Sequence, residues 1–262
     1  MEALRVYVLY LGMNLRAGLQ YRGWPLMIIQ TLVVVVTDPI GLVFLFHRFG
    51  PIGPWTVHHM LLVYAMAVTS FGLAETFGRG LDYFPWRMIR SGDFDRVLLR
   101  PQPLLLQIAG TYFHVHRLAR VGGGLAAVVY CLWALEVPLT AGRLLLLTAA
   151  LIGGFFTYIG VFIAASGIAF FTIQALDWIY IFTNTSYQVA RIPVDVMPSL
   201  LRVTFTFVMP MLVASYYPAA VAAGWGEPTW TGWLAVPVGL LFAGGSVLVW
   251  RFGLRHYQST GS

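Results

Sequence analysis

Residues 144–176 read LLLLTAALIGGFFTYIGVFIAASGIAFFTIQAL, a run without a single charged side chain. At about 1.5 Å per residue, such a helix is longer than the roughly 30 Å hydrocarbon core of a bilayer. It must therefore tilt, break or bend back within a membrane. The rest of the chain agrees with that setting. Of its 262 residues 59% are apolar and only 10% charged, and the mean hydropathy is +0.77. Soluble domains average about 25% charged residues. The expected fold is an all-α polytopic membrane protein, one transmembrane domain over residues 1–262 with about six spans.

Residues 1–22 read as a helix lying in the interface. Leu4, Tyr7, Val8, Leu11, Leu15 and Leu19 recur at helical spacing, while Arg5, Asn14, Arg16 and Gln20 take other faces. The expected spans are 25–46, 55–78, 112–135, 144–171, 203–223 and 230–250. Residues 177–202 mix aromatics with Asn184, Arg191, Asp195, Pro193 and Pro198, and read as an interfacial or re-entrant segment, with a seventh span as the alternative. The N-terminal stretch carries arginines and no compact apolar core before a small-residue site, so no cleavable signal is expected.

Every one of the sixteen basic residues is arginine. Without lysine the chain cannot contain a GxxxxGK[ST] phosphate loop, so ATP hydrolysis by that route is excluded. With six spans, fourteen arginines fall on one side and only Arg48 and Arg143 on the other. By the positive-inside rule both termini and the loop 87–107 face the cytosol. The basic balance reads as lipid headgroup and topology charge, not nucleic-acid binding. Cys131 stands alone in an apolar run, so no disulfide framework or metal cluster is expected.

The charged loop itself reads SGDFDRVLLRPQPLLLQ, residues 91–107. Ser91 is a helix cap by type, Asp93 and Asp95 fall in a first turn, and Arg96 and Arg100 come later, which suits the helix dipole. Phe94, Val97 and Leu98 with Leu105 make one apolar face, and Pro101 and Pro103 stop the helix from continuing. Two readings compete. One is a solvated loop whose arginines only fix topology. The other is a short docking helix with Phe94 as aromatic anchor for a partner's groove.

The interfacial first helix, six spans and a cytosolic GDFDRVLLRP between spans two and three together resemble the permease subunits of type-2 ABC exporters. Gly92, Phe94, Asp95, Leu98, Leu99, Arg100 and Pro101 carry the likeness, and SYYPAA at 215–220 resembles a tyrosine-proline element of one bacterial branch. The resemblance implies a coupling helix, Asp93 to Pro101 (Asp93, Phe94, Asp95, Arg96, Val97, Leu98, Leu99, Arg100 and Pro101), seated on a separate P-loop ATPase. It implies two ATPase subunits per complex, which bind the ATP and Mg, and a second permease, the same or different. No cofactor and no ATPase motif is expected in this chain. A bacterial inner-membrane exporter or efflux permease for hydrophobic or amphipathic cargo follows.

Other residues are weighed individually. Asp38, midway along the first span, is a translocation-path candidate, or else a helix breaker beside Pro39 near a span end. Tyr216, Tyr217 and Asn184 are further path candidates. Glu75 and Arg79, four apart, read as a helix-surface ion pair. His58, His59, His114 and His116 read as interfacial rather than as a metal site. Trp24, Trp55, Trp225, Trp230, Trp233 and Trp250 read as interface belts. The GGG at 122–124 and the GG pairs at 153–154 and 244–245 suit close helix packing, within the chain or between two copies. The alternative function is an intramembrane enzyme on lipid or isoprenoid phosphate, with the arginines of 79–100 binding phosphate. An accessory protein without a transport path is the third.

Overall fold

The structure is a computed structural model and describes residues 2–171 and 186–258. It is all-helical, with no β-strand among the described residues. One helix organises the rest. Helix α4, Val57–Phe84, continues through a π-turn at Pro85–Ile89, and 83% of its most apolar window is buried. Small residues let neighbours approach it closely: a Cβ on Gly80 would collide with the backbone of Ile108, and one on Gly124 of a later helix with Thr69. The helix starts at Thr56, whose backbone N–H donates to His59 Nδ1 at 3.2 Å.

Helix α1 (Glu2–Gln20) lies beside a later short helix, α6 (Leu104–Gly110): Asn14 Nδ2 donates to the Gly110 carbonyl at 2.8 Å. The first span is α2 (Trp24–Thr37) and α3 (Ile40–Phe49), interrupted at Asp38 and Pro39. Only 11% of its most apolar window is buried, so it is the outer staff of the bundle. Helix α5 (Phe94–Leu98) precedes α6 in the charged loop. Helix α7 (Arg117–Ala134) runs back along α4, from Tyr83, 3.4 Å from Arg117 Nη2, to His58, whose ring faces Tyr130 at 5.9 Å.

Helix α8 (Ala141–Ile168) pairs closely with the last helix, α12 (Ala235–Arg255). A Cβ on Gly167 would stand 2.8 Å from the Trp250 nitrogen, and one on Gly153 would meet the Ala235 backbone. The GG at 153–154 and Gly123 and Gly124 therefore serve packing within this chain, while Gly122, Gly244 and Gly245 face open space.

Among the described residues, four helical stretches are long and apolar enough to cross a membrane: Trp24–Phe49, Val57–Ile89, Ala141–Ile168 and Ala235–Arg255. A fifth counts only if Ser199–Val208 and Met211–Ala223, bent by 97°, are one span. The expected continuous span 203–223 is thus broken, because Pro210 lacks an N–H and starts a new helix. The first limb is α9 (Ser199–Val203) with its π-turn, and the second is α10 (Met211–Ala223). The expected span 112–135 begins only at Arg117, and 230–250 opens as a separate turn, α11 (Thr229–Trp233).

Contacts of the residues flanking the bent pair fix how it lies. Phe170 packs on Phe84, the C-terminal end of α4, with ring centroids 5.4 Å apart. Asp195, before the first limb, instead accepts a hydrogen bond from Trp55 at the N-terminal end of α4. Trp225, after the second limb, meets His59 at that same end, with centroids 4.4 Å apart. Between them, Ala214 approaches α4 near Ser70, about halfway along, where both crowd Gly154. The pair enters and leaves at one end of α4, which makes it a re-entrant hairpin.

Of the segment 177–202, residues 177–185 lie outside the described residues. Residues 186–197 are not laid on an interface: Tyr187, Ala190, Val194 and Met197 are all buried. Arg191 is drawn inward and Arg202 sits on the hairpin limb, so neither belongs with the arginines at the charged-loop end.

Candidate functional site

The charged loop is a short, braced structure. After the π-turn, Gly92 adopts φ +77°, a left-handed turn that a side chain would strain, and α5 follows at once. Ser91 is not the cap. The N-cap is Asp93, whose backbone N–H donates to Ser91 Oγ at 3.4 Å. The helix ends at Leu98, before Pro101, and Pro103 is the N-cap of α6.

Phe94 does not project toward a partner. It is fully buried, 5.0 Å from the rings of Phe84 and Tyr257 and 5.6 Å from Phe170. The reason is local: one apolar face on a five-residue helix turns toward the nearest apolar surface, here the ends of α4 and α12. Tyr257 completes the brace by donating to Asp95 Oδ1 at 3.0 Å. Burial, and then the Asp95 carboxylate, push that phenol up to about 12. Arg100 donates to Tyr10 Oη of α1 at 2.9 Å. What remains outward is Asp93 with Arg96, paired at 3.3 Å, and Leu98, Leu99 and Pro101, with Leu99 85% exposed. Val97 is half-buried against the core.

Asp38 is paired. Its Oδ2 lies 2.8 Å from Arg191 Nη2 and accepts from Tyr64 at 3.0 Å and Tyr187 at 3.2 Å. Asp38 therefore both breaks the span and anchors it. At the other path candidates, Tyr216 donates to Glu227 Oε1 at 3.1 Å and its ring meets Tyr217 at 5.0 Å. Asn184 lies outside the described residues.

The family description ABC-2 family transporter protein matches residues 32–261. The chain belongs to the ABC-2 transporter family. No curated protein and no solved structure matches it. It is thus a membrane-spanning permease component of an ABC transporter, a part that works with ATP-binding subunits and is not itself catalytic.

The ABC-2 permease also holds a polar site that spacing only half revealed. Glu75 and Arg79 do pair, at 2.8 Å, but their side chains are 2% and 5% exposed, so the pair is buried rather than on a helix surface. Arg117 and Arg120 of α7 reach the same carboxylate, Arg120 Nη1 at 2.6 Å from Oε2. Asp82 pairs with Arg79 at 2.8 Å. The signal available was that α4 carries a carboxylate and α7 two arginines inside apolar segments, where charges seek one another. Arg79 is thereby committed to the core and is no phosphate ligand, which weakens the enzyme alternative.

Two of the expected belt tryptophans are likewise internal. Trp250 is 2% exposed beneath Phe84 and Phe170, and Trp55 is 5% exposed at the opposite end.

Proposed function

We propose that this ABC-2 permease is the membrane half of an exporter driven by a separate P-loop ATPase, in a bacterial inner membrane with both termini cytosolic. The observation that carries the reading is the two-sidedness of the loop at Asp93–Pro101. Its inner face is keyed into the bundle by Phe94, while Leu99, Arg96 and Asp93 stand outward, an apolar residue beside charges of both signs. Such a surface suits a partner's cleft better than solvent. The arginine excess at that end of the bundle supports the cytosolic placement.

In this reading two ATPase subunits bind the ATP and Mg and press on the outward face of α5, and a second permease, identical or different, completes the path. Because Phe94 is wedged between the ends of α4 and α12, displacement of the loop moves those helices. Two states of the bundle must differ in their contacts with the ATPase for this coupling to work. The cargo is a hydrophobic or amphipathic molecule. Asp38 enters as a path residue through its hold on Arg191, and Tyr216 and Tyr217 as residues of the hairpin.

The test is reconstitution with the cognate ATPase. Leu99→Asp and Arg96→Glu, both on the exposed face, should abolish substrate-stimulated ATP hydrolysis while the permease remains folded. Normal stimulation in both variants would remove the coupling assignment. Asp95→Arg is a poorer probe, since it also breaks the Tyr257 hydrogen bond.

A further inference from the structure

At the end of α4 opposite the charged loop lies a cavity of about 320 Å³ between the start of α4, residue 195 and the turn after α10. Its walls are Trp55, His59, Tyr216 and Trp225, with the carboxylates of Asp195 and Glu227. The rings are set at angles around it: Trp55 is 5.4 Å from Trp225 and 5.6 Å from Tyr216, centroid to centroid. Each carboxylate is tied to a ring. Trp55 Nε1 donates to Asp195 Oδ2 at 2.7 Å and Tyr216 Oη donates to Glu227 Oε1 at 3.1 Å. Gly224 at φ +76° and Gly226 at φ +82° turn the chain so that Trp225 and Glu227 come back over the opening.

Among the described residues, the lining contains two carboxylates and no guanidinium. His59 Nδ1 accepts the Thr56 N–H at 3.2 Å, so that nitrogen faces the helix start. Among the described lining residues the two carboxylates therefore meet no arginine, and the rest of the lining is mainly aromatic. Electron-rich faces attract a poorly hydrated cation within about 6 Å of the ring centroid. A divalent metal would want a fuller set of oxygen ligands than two carboxylates tied to ring donors. The volume sits at the low end of the roughly 300–1,000 Å³ typical of ligand cavities, which suits a head group rather than a whole amphiphile.

We propose that this cavity is a binding site for an organic ammonium group, held by cation–π contact with Trp55, Tyr216 and Trp225 and by the charges of Asp195 and Glu227. The group belongs either to a lipid headgroup at this face of the membrane or to a free amine. The site stands on its own lining and does not require the loop at Asp93–Pro101 to engage an ATPase.

The experiment uses the full permease in nanodiscs of phosphatidylglycerol alone, titrated with choline and with ethanolamine by calorimetry. The uncharged isostere of choline, 3,3-dimethylbutanol, is the control. Choline should bind, and the isostere should bind at least about tenfold more weakly. Asp195→Asn with Glu227→Gln preserves the hydrogen-bond acceptors and shape and should weaken choline by about tenfold or more; Trp225→Leu should do so from the aromatic side. In nanodiscs containing phosphatidylethanolamine or phosphatidylcholine, loss of choline binding would identify the lipid as occupant, and retained binding a free amine; both uphold the site. Equal binding of the isostere, undiminished affinity in the charge-removed variant, or no binding in phosphatidylglycerol discs would overturn it.

Discussion

Asp38 Oδ2 stands 2.8 Å from Arg191 Nη2, so the break in the first span is pinned to the segment that leads into the re-entrant hairpin. The first span is otherwise poorly buried, and its own packing does little to hold it. Tyr64 of α4 and Tyr187 reinforce the same carboxylate. The pair works as a clasp between two elements far apart in sequence.

Breaking one half of this clasp should cost more than removing both. The side chains are 24% and 27% exposed, so the loss for Asp38→Asn or Arg191→Gln is set at about 1–3 kcal/mol, below that of a fully buried pair. Thermal unfolding in detergent should show the double variant more stable than the sum of the singles predicts. Strict additivity would mean that the clasp contributes nothing. In the reconstituted transporter, Asp38→Asn should also alter export of a cationic substrate; unchanged transport and pH dependence would remove it from the path.

Glu75 is the sole carboxylate facing both Arg117 and Arg120 among the described contacts. Glu75→Gln leaves those cations buried with a weaker partner, and about 3–5 kcal/mol of stability should be lost. The folded yield and melting temperature of the purified permease measure it. Combining Glu75→Gln with Arg117→Leu should recover part of the loss, and failure to recover any would indicate that the arginines are held by something other than this charge.

Phe94 and Leu99, five residues apart, should behave oppositely. Phe94→Ala opens a cavity among Phe84, Phe170 and Tyr257 and should cost about 3–5 kcal/mol in detergent. Leu99→Ala should leave stability within about 0.5 kcal/mol, because the side chain is already in the open. If Phe94→Ala melts like the wild type, the loop is not keyed as described.

His116, the N-cap of α7, is held well below the ordinary histidine value, at about 4, by burial and then by the neighbouring Arg117 cation. Burial lowers His114 in the same sense. The unfolded chain takes up a proton near pH 6.5, which the folded one refuses until about pH 4. The stability contributed by neutral His116 is therefore complete above pH 6.5 and lost as pH falls toward 4. His116→Gln should flatten the pH dependence of melting across that window. A variant curve parallel to the wild type would show that His116 titrates normally.

The membrane bundle was legible because its signal is local. The charge-free run at 144–176 yields α8 at Ala141–Ile168, and Pro101 and Pro103 bound the loop helices where ring chemistry requires. The missed features all depend on what meets what across the fold. Glu75 shows its near partner by i,i+4 spacing, but Arg117 and Arg120 lie 42 and 45 positions away. Phe94 could be read as buried or as an anchor, because the amphipathicity of one short turn does not say which side faces the chain's own core. Trp55 and Trp250 sit where belt residues sit in sequence, and only the packing of α8, α12 and the hairpin takes them off the surface. Met209–Pro210 could mark a kinked crossing or a reversal; the contacts of Asp195 and Trp225 decide for the reversal.

Helix α4 with its π-turn forms one stretch of 33 residues, about 50 Å long, from just past Trp55 to just short of the Asp93–Pro101 loop. Glu75, nearer the loop than the far end, ties this rod to Arg117 and Arg120 of α7. In the coupling proposed above, one unbroken element joins the loop to the aromatic cavity, so a displacement at one end is carried to the other without an intervening joint.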